Sequence, residues 1–364
     1  MSFNLIKEKI ALLLVLFCIQ IAVFGQEQSS VIDRYNRVYD TLNNYLNNPK
    51  KGSFKDAVFY SEAVYMNDFS YKGEFENRIK LLALFAKGWA DFNRPAKYRF
   101  LDSLNLNLNF AIYKVLKDTV RIVGSDSQVF STIPFEYDFS DYFGRSEWSN
   151  MFVSKLLVSK KGNCHSLPYL YKIIADELGA VCWLGLAPNH IYIKNRCKGY
   201  GWYNTELTSG SFPIDAWITA SGYIPLEAIQ SGLYMDTLSD QQAIALTVLD
   251  LAKGYEFQTK RYDDGFILKC CDLVLKYHPV NAQALLLKAE TLKRLYESQK
   301  ATGNPNIGQT YQDMENLYVK LFNLGYREMP EGMYLKWLKS IETEKSKFQN
   351  KTLTESITAP KKAF

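Results

Sequence analysis

The chain has 364 residues, of which 47% are hydrophobic and 22% charged, with a formal net charge of +5. That balance is ordinary for a globular chain, and no Lys/Arg block is long enough for a nucleic-acid footprint, so no nucleic-acid partner is expected. HExxH, CxxC and Walker patterns are all missing, so metal hydrolysis and nucleotide chemistry lack support, and neither a metal nor another cofactor is expected.

Residues 1–25 read as an export signal. Lys7 and Lys9 precede an apolar run from Ile10 to Phe24, and Val23-Phe24-Gly25 suits cleavage before Gln26. The run is short for a span of about 20 apolar residues; an uncleaved anchor is the alternative. Cys18 lacks a good lipobox because bulky Phe17 precedes it. The expected mature protein is exported, periplasmic or secreted, with no stable membrane span.

Residues 26–145 form a mostly helical region. "VIDRYNRVYDTLNNYL" and "NRIKLLALFAKGWADF" repeat apolar residues at three-to-four spacing. Residues 121–145, with Pro134, read as extended loop. "SEWSNMFVSKLLVSKKG" then predicts one helix, with Ser146 as N-cap and Glu147 near its start.

Residues 146–235 change character. A helix over Ser166–Leu178 carries Pro168 in its first turn and Gly179 as its stop. "VCWLGLA", "HIYIK" and "WYNTEL" read as strands, so this part is an α+β core. Over 236–345 the strands give way to amphipathic helices. Val274-Leu275, Pro279 and Ala282, Leu285 and Ala289 resemble a degenerate tetratricopeptide (TPR) pattern. The tail, 346–364, is polar and charged and is expected to be disordered.

The mature chain keeps five cysteines, an odd number whose spacings fit neither a zinc nor a disulfide framework. Cys164 stands out, at the mouth of a helix after Gly162-Asn163. The helix N-terminus favours a thiolate there, and its free N–H groups are positioned to hold an oxyanion. A catalytic cysteine also needs a base and a group to orient that base. His190 opens the next strand pair. A hairpin with Lys194 opposite Trp202 puts Glu206 directly across from His190, about 4.5–5.5 Å away at Cβ. Asn204, one pair along the same face, and Asp215 are alternative orienters. Gly162, Asn163, His165, Tyr192, Trp202 and Asn204 are candidates to line the cleft. The structural alternatives are a buried hydrophobe for Cys164, a turn residue for His190, a surface strand residue for Glu206 and a first-turn helix residue for His165. Cys182 is expected in a core strand, Cys197 in a loop, Cys270 and Cys271 in helix packing, and His278 in the turn before Pro279.

Gly162-x-Cys164, a helix ending Leu178-Gly179, His190-x-Tyr192 and Trp202-x-x-x-Glu206-x-Thr208 resemble the transglutaminase-like superfamily, with its papain-like core. The resemblance implies Cys164 as nucleophile, His190 as base and Glu206 as orienter, where the family usually has Asp. Lys161-Gly162-Asn163-x-x-Ser166-Leu167 with Ala187-Pro188-Asn189-His190 resembles the SirB-type branch, which joins such a core to TPR repeats. Much of that branch has proline in place of the cysteine, which this chain keeps. The two resemblances cover about residues 146–300 of the sequence. The expectation is an exported cysteine enzyme that cleaves or exchanges amide bonds in a peptide, protein or cell-wall peptide. The alternative is a non-catalytic scaffold whose TPR-like repeats bind a protein partner. A third reading is a cell-wall-binding module using the abundant surface aromatics.

Overall fold

The computed structural model describes residues 30–93, 98–123 and 127–358. The expected signal, residues 1–25, lies outside them, as do residues 359–364. Among the described residues no helix is long and apolar enough to cross a membrane. The fold is mixed α+β, mostly helical, with three small sheets.

Four helices come first: α1 (residues 30–47), α2 (Phe54–Met66), α3 (Lys72–Phe92) and α4 (Ser103–Lys117). The three-to-four spacing of Tyr35, Val38, Leu42 and Leu46 gives α1 one fully covered stripe. Residues 121–145, expected to be loop, hold three short strands instead. β1 (Arg121–Val123) and β2 (Val129–Ser131) form a hairpin. β3 (Glu136–Tyr137) pairs in parallel with β4 (Lys161–Gly162), which leads straight to Cys164. Strands of two or three residues are too short to show a period, and the β3 partner lies far along the chain.

The single helix expected after Ser146 is broken at Phe152, whose backbone is extended (φ −88°, ψ 137°). A 3₁₀ turn (Trp148–Met151) is capped by the Glu147 carboxylate, which accepts from Ser149 N at 3.0 Å. The second piece, α5 (Val153–Ser159), is capped from a distance. Buried Glu62 of α2 accepts from Val153 N at 2.7 Å and from Ser154 N at 2.9 Å. A side chain 91 residues away thus satisfies two orphan N–H groups of a helix terminus.

Next, α6 (Ser166–Leu178) ends on Gly179, which takes the left-handed conformation at φ 67°. It packs on the antiparallel sheet β5 (Trp183–Ala187), β6 (His190–Cys197) and β7 (Gly201–Thr205), with β6 central. The register differs from the one expected from the sequence: Asn204, not Trp202, lies opposite Lys194, and Trp202 pairs with Arg196. β6 runs three residues further than expected, so Cys197 ends a strand, buried, instead of lying in a loop. A slip of two residues keeps every side chain on its face. One more pair along this register would set Tyr192 across from Glu206, with His190 on the diagonal.

Two short helices, α7 (Asp215–Ser221) and α8 (Leu226–Gln230), lead to α9 (Asp240–Thr259), α10 (Phe266–Tyr277), α11 (Ala282–Thr302) and α12 (Ile307–Asn323). Each of these last four packs on the next, and α9 also packs on α2. One hydrophobic core therefore runs from Tyr35 to Leu338, shared by the segments 26–145, 146–235 and 236–345.

Over residues 346–358 the structure corrects the expected disorder. After α13 (Glu331–Thr343), α14 (Lys345–Phe348) and α15 (Lys351–Thr358) fold back. Leu353 is fully buried beside Leu106, Phe110, Tyr203 and Phe212, and the Phe348 ring lies 5.5 Å from Trp217. The signal in the tail is short, Leu353 and Ile357 four apart in an otherwise polar stretch, and the surfaces that receive Leu353 and Phe348 are built by distant segments.

Glu62→Ala should destabilise the protein by about 2 kcal/mol in denaturant unfolding, because it leaves one buried and one partly buried N–H group without its acceptor. Glu62→Gln, with one acceptor oxygen in place of two, should lose roughly half as much. A loss below about 0.5 kcal/mol for the alanine variant would show that α5 does not depend on this cap.

Candidate active site

Asn163 organises the start of α6. Its Oδ1 accepts from the N–H groups of His165 (3.0 Å) and Ser166 (3.1 Å), and its Nδ2 donates to Tyr142 O at 3.1 Å. Gly162 is required just before it, since a Cβ there would come within 2.5 Å of Ser166 Oγ and 2.7 Å of Leu156 Cδ1. Together they hold Cys164 at the helix mouth, 6% exposed. The expectation that the first-turn N–H groups of α6 are free for an oxyanion needs correcting. Those of His165 and Ser166 are taken by the Asn163 side chain, and that of Leu167 by the Asn163 carbonyl. Among the described residues the Cys164 N–H has no partner.

His190 opens β6 after Asn189, which turns the chain at φ 55°. Its Nε2 lies 2.6 Å from Glu206 Oε2. Glu206 follows β7, where its backbone pairs with Ser211 and its Oε1 accepts from Thr208 N at 2.8 Å. The other face of the imidazole turns toward the thiol. Between them sits the hydroxyl of Tyr334 from α13, 3.1 Å from Cys164 Sγ and 3.5 Å from His190 Nδ1. Trp337, one turn on, presents its ring edge-on to His190, with centroids 4.6 Å apart. Nothing in the sequence near Cys164 signals Tyr334 or Trp337, since both come from α13, about 170 residues further along the chain. Tyr137 is also close, and its buried hydroxyl has no well-formed hydrogen bond among the described residues.

The electrostatics favour an ion pair. Burial alone would raise the Cys164 thiol, but the nearby His190 imidazole, helped by Tyr334, outweighs it and holds the thiol below its ordinary value. Burial would lower His190, yet the Glu206 carboxylate and Cys164 carry it above its ordinary value. Glu206 is driven down against its burial by the imidazole. The arrangement sets a thiol of lowered pKa, an imidazole of raised pKa and a carboxylate of lowered pKa in a row. The packed cysteines behave in the opposite way: burial pushes Cys182 and Cys271 up to about 12.

The other candidates divide. His165, expected to be a first-turn residue, faces a cavity of about 160 Å³ that Cys164 and His190 also line. Its Nε2 meets Asp250 Oδ1 at 2.9 Å and its Nδ1 meets Met151 O at 3.0 Å. Both partners are acceptors, so both ring nitrogens carry protons. Burial works against that charge, but Asp250 outweighs it. Asp250, on α9, also accepts from Tyr169 Oη at 3.0 Å. Tyr192 is buried behind the site, its hydroxyl on Met235 Sδ at 3.4 Å. Trp202 is 45% exposed and packs on Trp183, outside the cavity. Asn204 donates to Asp215 Oδ1 at 2.7 Å and to Pro213 O at 3.0 Å, so the two alternative orienters are bonded to one another.

Compared with known proteins, the chain matches no family model, no curated protein and no solved structure.

Iodoacetamide alkylation of Cys164 should follow an apparent pKa below the free-thiol value of about 8.5. That pKa should rise in His190→Ala and, by less, in Tyr334→Phe. A pH profile unchanged in His190→Ala would show that the imidazole does not set the state of the thiol.

Proposed function

We propose that the protein is an exported, cysteine-dependent acyl-transfer enzyme of transglutaminase-like type, acting on amide bonds. The observation that carries this reading is the buried row Cys164, His190, Glu206, with Nε2 of the imidazole on a carboxylate and its Nδ1 side toward the thiol. In this scheme the thiolate attacks the carbonyl carbon while the oxyanion takes the Cys164 N–H and the Tyr137 hydroxyl. The His190 imidazolium then gives its proton to the leaving amine. An acyl-enzyme remains, and His190 deprotonates the water or amine that resolves it. Glu206 fixes the ring and favours its charged form, the part an orienting carboxylate plays in such triads. Export is inferred from residues 1–25, and the stacked helices α9–α12 are read as TPR-like units flanking the core.

A second reading has its own observation. Tyr334 fills the gap between thiol and imidazole and is fully buried. In a non-catalytic scaffold, α13 would close that gap permanently and the helices α9–α12 would bind a protein partner.

Amine release from a panel of acyl-dipeptides and cell-wall peptides separates the two readings. Under the enzyme reading Cys164→Ala and His190→Ala lose at least about a thousand-fold of the turnover. Turnover that survives in Cys164→Ala, or no turnover across the panel, would favour the scaffold.

A further inference from the structure

The cavity beside Cys164 has walls of two kinds. Tyr142, Phe143, Trp148, Leu246 and Leu249 make most of it apolar, while α9 adds Asp250 and Lys253 to the same face as Leu246 and Leu249. Its carboxylates are each engaged by an imidazole: Asp250 meets His165, and Glu206, behind the cavity, meets His190. Lys253 has no such direct partner. Its Nζ donates to the neutral Gln283 Oε1 at 3.2 Å, and no carboxylate of the described residues lies within ion-pair distance. An ammonium carries three donors, so two remain to be satisfied. Burial holds this ammonium below its ordinary pKa, against the pull of the nearby Asp250 and Glu256 carboxylates, neither of which touches it.

From this geometry we propose that Lys253 receives the free C-terminal carboxylate of a peptide substrate, with an apolar last residue lying between it and Cys164. The inference rests on Cys164 being the nucleophile and adds the substrate class. The cavity suits a single residue better than a continuing chain. In the reaction the thiolate forms its bond to the carbonyl carbon of the penultimate residue, and the C–N bond to the last residue breaks. His190 supplies the proton that the departing amine needs. The released fragment is a free amino acid whose carboxylate is still on Lys253, and water then cleaves the thioester. The activity is thus a carboxypeptidase type, with selectivity for a free over an amidated C-terminus.

Affinity labelling tests this without knowledge of the natural peptide. N-bromoacetyl-leucine and N-bromoacetyl-leucinamide both alkylate a thiol with loss of bromide, and they differ only in the terminal carboxylate. Their rate ratio on one protein cancels any difference in thiol reactivity. The acid should label Cys164 roughly ten-fold faster than the amide in the wild type, as one charge-assisted hydrogen bond allows. The ratio should fall to about one in Lys253→Met and persist in Lys253→Arg. A wild-type ratio near one, or a preference kept in Lys253→Met, overturns the carboxylate site while leaving Cys164 a working nucleophile. Absence of labelling by either reagent overturns the nucleophile itself, and this inference with it.

Discussion

The buried contact between His190 and Glu206, 2.6 Å long, is the interaction on which the arrangement around Cys164 depends. Moving a carboxylate and an imidazolium out of water costs several kcal/mol for each ion, and a pair this deep repays that cost only when its remaining polar atoms are satisfied. Here they are. Glu206 takes the Thr208 N–H on its second oxygen, and the imidazole turns its other nitrogen toward Tyr334 and the thiol. A pair of apolar residues would stabilise the same space at least as well. Retaining two charges and a thiol there makes sense if the charges act on the thiol.

The second imidazolium sharpens this point. Cys164 lies between His190, anchored by Glu206 after the sheet, and His165, anchored by Asp250 on α9. Each cation is held by a carboxylate from a different part of the chain. Both rings have one nitrogen on a carboxylate, and they differ in the other: that of His165 meets the Met151 carbonyl, while that of His190 turns toward the thiol at the Tyr334 hydroxyl, a longer contact.

What the sequence made legible follows the range of the interaction. Helix α6, with Pro168 inside its first turn and Gly179 at its end, is a local pattern and could be bounded to the residue. Cys164, His190 and Glu206 could be chosen because turn and strand signals put them on facing elements. The pairing register could not, since the end of β6 depends on a three-residue turn that carries no strong signal. It did not matter to the site because the slip was even, and parity alone decides which face a side chain takes. The contributions of Glu62, Asp250, Tyr334 and Trp337 were invisible for a different reason. Each comes from a helix distant in sequence, and only the tertiary arrangement brings Asp250, Tyr334 and Trp337 to the site and Glu62 to the start of α5. The folded tail escaped notice similarly, because Leu353 and Ile357 make only one helical repeat and Phe348 stands apart in a polar segment.

These long-range contributions tie the chemistry to the fold as a whole. Strand β4 delivers Cys164, the sheet supplies His190, and α9 supplies Asp250. From α13, the Tyr334 hydroxyl enters between thiol and imidazole. At that position the hydroxyl can donate to a thiolate or accept from an imidazolium, so it stabilises the charged pair while occupying the path of the proton between them. A substrate carbonyl entering from the α9 side meets Sγ without first moving α13, because the cavity there is lined by Cys164 itself. Direct proton transfer from His190 to a leaving amine requires the amine to reach Nδ1 beside that hydroxyl or through it. The hydroxyl therefore either relays the proton or yields its place, and the anchoring of α13 governs which. That anchoring is one-sided: Glu331 is held at the surface by Tyr142 and Arg145, while Trp337 is held in the interior by Ser221. Between these two anchors the Tyr334 ring is itself buried against Tyr142, Phe143 and Trp337, so displacing its hydroxyl means repacking those rings and not only releasing the surface contacts.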